Sequence, residues 1–84
     1  MVYALKRVQG YKMQKIQLKD DYIKLGQALK AAGLVESGVM AKIVIQDGQV
    51  KVNGQTELQR GKKLVSGDVV EFDNEVLQIT AVKK

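Results

Sequence analysis

The 84-residue chain contains neither Cys nor His, which removes disulfides, thiolate nucleophiles, thiol and imidazole metal sites and the usual near-neutral general base. A single domain of this size hides only about 60% of its unfolded surface, so a deep multi-step active site is not expected. With 45% hydrophobic and 27% charged residues the composition is that of a globular chain.

The net charge of +5 is unevenly spread. Positions 1–30 hold seven basic and two acidic side chains, 31–63 five and three, and 64–84 two and four. A one-sided basic surface on a small domain points to a polyanion, of which nucleic acid is the commonest; the plainer alternative is a solvated surface that keeps the protein soluble. No apolar run approaches the ~20 residues of a membrane span, and Met1 to Lys12 is too mixed in polarity for a signal peptide. A cytoplasmic location is the expectation.

Residues 1–12 have no clear period and Gly10 interrupts them, so they are read as an N-terminal extension, with the domain occupying 13–84. From Met13 to Leu18, Gln14, Ile16 and Leu18 alternate with Met13, Lys15 and Gln17, the period of a half-buried strand. Asp20 and Asp21 then offer an N-cap and favourable charge for a helix over Tyr22–Ala32. On that helix Tyr22, Leu25, Ala28, Leu29 and Ala32 share one arc, while Lys24, Gln27, Lys30 and Ala31 face the other way. Gly33 supplies a C-cap.

Ser37 stands where a second N-cap belongs. The helix it opens, Gly38 to Asp47, is apolar nearly all round, which predicts burial between two layers with Lys42 and Gln46 as its only polar window. After Gly48, Val50 and Val52 alternate with Lys51 in a strand, and Asn53-Gly54 is a strong hairpin signal. The return strand is expected to hold Leu58 and to lead into a basic turn, Arg60-Gly61-Lys62-Lys63. Ser66-Gly67-Asp68 makes another turn, and Val69–Phe72 pairs with Val76–Val82 around Asp73-Asn74. The expected order is β-α-α-β-β-β-β, an α+β fold of two short helices on a small, mostly antiparallel sheet.

Chemical motifs are few. A phosphate loop fails because Thr56 stands where its first Gly should be and Lys63 replaces its hydroxyl residue. The carboxylate pairs Asp20-Asp21 and Asp73 with Glu75 are explained by a helix start and a hairpin turn. No catalytic residue, cofactor, metal or small-molecule substrate is therefore expected. What remains is a basic constellation: Lys24, Lys30, Lys42 with Gln46, Lys51, Arg60, Lys62 and Lys63. Such groups neutralise phosphates, and amides such as those of Gln46 and Asn53 bond sugar hydroxyls or base edges. With few aromatic residues, stacking platforms for single strands are not supported, which favours folded, double-helical or looped RNA read by shape and phosphates.

These residues form a familiar succession. Ile23-Lys24-Leu25 through Leu29, Gly33-Leu34, Ser37, Ala41, Ile45, Gly48-Gln49-Val50-Lys51-Val52-Asn53-Gly54 and Gly67-Asp68 resemble the S4-like RNA-binding domain, the αL module also found in pseudouridine synthases, tyrosyl-tRNA synthetases and heat-shock ribosome-rescue proteins. The wording "IKLGQALK", "SG..AK" and "RGKKL" is similar to the stand-alone YaaA/YbcJ-like branch of very small bacterial proteins. The resemblance implies an RNA surface of Lys24, Gln27, Ser37, Lys42, Gln46, Lys51 and Asn53, with Arg60, Lys62 and Lys63 as a branch-specific basic turn. It also implies a non-catalytic, ribosome-associated role on structured rRNA. One departure is Gly38, where many members carry Arg after the Ser.

A monomer is expected. The alternative reading is a small protein-interaction adaptor. The "GDVVEF" hairpin is also similar to ubiquitin-like sulfur carriers, but those end in Gly-Gly and this chain ends Val82-Lys83-Lys84. DNA binding is a weaker third option.

Overall fold

The structure, a computed structural model, describes residues 12–81. The expected extension lies outside the described residues except for Lys12, which opens the first strand. The elements in chain order are β1 (Lys12–Gln17), β2 (Ile23–Lys24), α1 (Leu25–Ala31), α2 (Gly38–Gln46), β3 (Lys51–Val52), β4 (Gln55–Thr56), β5 (Lys63–Leu64), β6 (Val69–Phe72) and β7 (Glu75–Thr80).

Five strands form one sheet in the order β1-β7-β6-β3-β4, with β1 parallel to β7 and the other pairs antiparallel. The fold is the expected α+β arrangement of two helices on a mostly antiparallel sheet. The register aligns Gln14 with Leu77, Leu77 with Val70, and Val70 with Val52 in one cross-strand row. The adjacent row runs Met13, Val76, Glu71, Lys51. Because successive strand residues face opposite ways, the first row meets the core and the second lies on the far face. Leu25, Leu29, Ala41 and Ile45 of the helices join Val50, Val52, Val70, Leu77 and Ile79 in a single buried cluster.

The helix ends show why local sequence set them there. Ser37 Oγ accepts the Met40 N–H at 3.1 Å as the N-cap of α2. After α1, Gly33 N–H donates to Lys30 O and Leu34 N–H to Leu29 O; after α2, Gly48 N–H donates to Ile45 O and Gln49 N–H to Val44 O. Both helices thus close in the same pair of bonds, with Gly33 and Gly48 at φ 77° and 83°, a conformation that costs glycine least.

Four expectations are corrected. The first helix begins at Leu25, not Tyr22, because Ile23 and Lys24 pair with Leu64 and Lys63 in a separate two-stranded ribbon. Asp20 and Asp21 therefore stay in the preceding loop, and Lys24 is the N-cap. The second helix is not wedged between layers: Ala41, Val44 and Ile45 are buried, but Val39, Met40 and Ile43 are 68%, 43% and 54% exposed. Among the described residues no second layer covers them, as a domain this small can build only a limited core. The return strand is only Gln55–Thr56, and Leu58, beyond it, is 56% exposed. The last strand starts at Glu75 and ends at Thr80, rather than running from Val76 to Val82.

Candidate nucleic-acid interface

The outward face of α1, the start of α2 and the Arg60-Gly61 turn enclose a groove of about 330 Å³, lined by Lys24, Gly26, Gln27, Lys30, Gly38, Arg60 and Gly61. Backbone bonds join its walls. The first two N–H groups of α1 lack helical partners, and Lys24 has no side-chain acceptor to offer them. Leu25 N–H donates instead to Lys62 O at 2.8 Å and Gly26 N–H to Arg60 O at 3.0 Å. The basic turn is therefore the cap of α1, and Gln27 Oε1 completes the end by accepting the Lys24 N–H at 3.3 Å.

Gly26 is the residue that sequence reasoning passed over. It is buried within α1, and a Cβ there would sit 2.6 Å from Arg60 Cγ and 3.7 Å from Ala41 Cβ. The stem of Arg60 lies across this gap, against α1, and the residue lines the groove. A glycine inside a helical pattern costs stability relative to alanine and signals a close approach; that was the available clue.

Lys24 and Lys63 stand directly opposite each other on the β2–β5 ribbon. Like charges in that position destabilise a strand pair, so the ribbon holds two cations together at a cost that an anion would relieve. Lys63 Nζ also lies 4.8 Å from the centroid of the Tyr22 ring. Lys62 contributes its carbonyl to the α1 cap and an exposed side chain.

The other expected residues fall elsewhere. Gly38, Lys42 and Gln46 follow one another at i, i+4 on α2, so Lys42 and Gln46 extend a ridge away from the groove mouth. Ser37 lies at the base of that ridge with its hydroxyl occupied by the cap. Lys51 lies on the far face of the sheet opposite Glu71, beside a depression also bordered by Asp73 and Glu75. Asn53 is tied into the fold: its Oδ1 accepts Val69 N–H at 2.9 Å, its Nδ2 donates to Asp68 Oδ1 at 3.0 Å, and Asp68 Oδ2 accepts Val65 N–H at 2.9 Å. Asn53-Gly54 and Gly67-Asp68, distant in sequence, are two halves of one hydrogen-bonded lock.

Asn53→Ala removes both side-chain bonds of that lock. It is expected to lower the unfolding free energy by about 1–2 kcal/mol, measured by urea denaturation. An unchanged midpoint would mean that the lock adds nothing to the fold.

Among the described residues no group of three or more His, Cys, Asp or Glu is arranged to hold a metal ion, and no helix is long and apolar enough to cross a membrane.

A model of the S4 domain matches residues 16–80. The chain belongs to the S4 domain family. Its S4 domain is 41% identical over 63 residues to YbcJ of Escherichia coli (strain K12), covering 75% of this chain and 90% of that one. It is 43% identical over 58 residues to a protein of Bacillus subtilis (strain 168) named as a probable ribosome maturation protein, RlbA, covering 69% of this chain and 82% of the relative. The solution structure of E. coli YbcJ, described as revealing an αL motif involved in RNA binding, superposes with a TM-score of 0.63 at 40% identity, covering 80% of this chain and 86% of that one. The S4 domain anticipated from the sequence is thus found in the family match, and the αL arrangement in the structural neighbour.

Proposed function

We propose that this chain is a non-catalytic RNA-binding module of the cytoplasm that holds structured ribosomal RNA, or a ribosome-associated particle, as a monomer. The observation that carries the reading is the convergence of Lys24, Lys30 and Arg60 on one groove, with Lys63 held opposite Lys24, while the acidic side chains Glu71, Asp73 and Glu75 border a separate depression at the β6–β7 turn. Cations spaced along a groove match a phosphate backbone. The names of the relatives add an RNA and a ribosomal context to that chemistry.

Within this reading Lys24, Gln27, Lys30 and Arg60 form the centre of the surface. Lys42 and Gln46 extend it along α2, and Lys62 and Lys63 extend it along the basic turn. Ser37 and Asn53 act by holding the fold, and Lys51 lies beyond the reach of a strand seated in the groove.

Gly38 offers a gain-of-function test. A Cβ at this position meets nothing within 4 Å and its φ is not positive, so Gly38→Arg places a new guanidinium at the groove mouth without a clash. The expected result is a several-fold rise in affinity for an RNA hairpin, with the salt slope steeper by about one. Unchanged affinity would mean that RNA does not pass the start of α2.

The reading as a whole is tested by sedimenting tagged protein from a bacterial lysate on sucrose gradients at low and moderate salt, then crosslinking the fractions. Migration with a ribosomal subunit or its precursors, and crosslinks from the Arg60 turn or Lys42 to one rRNA helix, is the expected result. Retention at the top of the gradient at both salts without RNA crosslinks would overturn it. The exposed apolar stripe of Val39, Met40 and Ile43 favours a second reading, a protein adaptor, which would then lead.

A further inference from the structure

A second cleft, of about 350 Å³, opens between the end of β1 and the outer side of α1; its lining includes Ile16, Gln17, Tyr22, Ile23, Gln27 and Ala31. It shares one residue, Gln27, with the basic groove. Ile23 borders the cleft and Lys24 the groove, so the two sites sit on either side of the β2–α1 junction.

The two sites differ in chemistry. The groove brings together three cations and no carboxylate, whereas the cleft has one of each, Lys19 and Asp20, and is otherwise neutral. A phosphate belongs in the first. The second has an aromatic wall, aliphatic side chains and two amides, which is what a flat, neutral heterocycle with donors and acceptors on its edge requires. Tyr22 is 40% exposed, and the Lys63 ammonium near its ring restrains it. Gln27 uses its oxygen on the Lys24 N–H, which leaves its amide nitrogen as a donor between the two sites.

We propose that this cleft is a nucleobase subsite: it takes one unpaired base of an RNA whose flanking phosphates lie in the Lys24–Arg60 groove, stacking it against Tyr22. A base inside a duplex cannot enter, because its faces are covered and its edges paired; a bulged or looped base can. The inference rests on the RNA-binding reading and narrows it from structured RNA in general to RNA with an extrahelical nucleotide beside a helix. It departs from the expectation that so few aromatic residues do not support a stacking platform.

The test compares two RNA hairpins of identical stem, one fully paired and one with a single bulged 2-aminopurine, bound to the full chain and to Tyr22→Ala and Tyr22→Phe variants. The wild-type chain is expected to prefer the bulged hairpin by about tenfold and to quench its fluorescence. Tyr22→Ala should erase the preference and the quenching while keeping affinity for the paired hairpin, and Tyr22→Phe should keep both. Thermal unfolding of each variant separates lost stacking from lost folding, and Tyr22 lies outside the buried core. Equal wild-type affinity for the two hairpins would overturn the base subsite and leave the basic groove standing. Failure to bind either hairpin would overturn the RNA reading and the subsite with it.

Discussion

Replacing Lys24 and Arg60 together by Ala is expected to weaken binding to an RNA hairpin about 100-fold at moderate salt and to reduce the slope of log affinity against log salt by about two. Each side chain lines the groove, and a charge-assisted contact to phosphate is worth about 1.5–3 kcal/mol, tenfold or more in affinity. Each phosphate contact removed also takes about one from the slope.

The fold should survive the double change. The α1 cap is made by the carbonyl of Arg60, not its guanidinium, and losing the Lys24 ammonium relieves the like-charge pair with Lys63. Melting temperature is thus expected to change little while affinity falls, because the relieved like-charge pair offsets the packing lost with the Arg60 stem over Gly26. Lys51→Ala is the control: with its side chain next to Glu71 on the far face, it should leave the slope nearly unchanged. Fluorescence anisotropy across a salt series measures both variants against the wild-type chain. A double variant with wild-type slope would remove the groove from the binding surface.

Leu29→Ala is expected to cost about 2–5 kcal/mol. Leu29 is wholly buried in the cluster that joins the helices to the sheet, and its carbonyl receives the Leu34 N–H that closes α1. Small domains have only about 5–15 kcal/mol in all, so the variant should lose cooperativity or melt about 8 °C lower or more, at about 4–8 °C per kcal/mol. Leu58→Ala removes the same atoms from an exposed site and should change stability by less than about 0.5 kcal/mol. Circular dichroism melts of the pair distinguish core from surface; equal shifts would contradict the burial on which the fold rests.

The comparison of these two leucines marks where sequence reading stops. Alternation from Met13 to Leu18, the burial of Leu25, Ala28 and Leu29, the cap at Ser37, the two glycine closures and the Asn53-Gly54 turn were legible because each depends on neighbours within a few residues. The ribbon between Ile23–Lys24 and Lys63–Leu64 was not, because its partners are some 40 positions apart and each strand is two residues long. Missing it moved the start of α1 by a turn and concealed how Arg60 and Lys62 cap that helix. The second helix misled for a related reason: periodicity reports which residues are apolar, not how much protein is available to cover them.

The same division holds for the site. Most of the pattern that identifies the family, Gly33-Leu34, Ser37, Ala41, Ile45, Gly48, Val50, Val52 and Asn53, serves caps, core and the lock with Asp68. The expected spacing put Lys24, Gln27 and Lys30 on one face, and the three line one groove. It could not bring Arg60 to them, since that depends on the absent side chain of Gly26, nor separate Lys51 from them.

The most direct measurement is amide chemical-shift mapping of the 15N-labelled chain titrated with an RNA hairpin at moderate salt. The largest shifts are expected over 23–30, 38–42 and 60–63, the groove and its α2 ridge, with little change in the β6–β7 hairpin. Shifts confined to that hairpin and the far sheet face, or none at saturating RNA, would contradict the account.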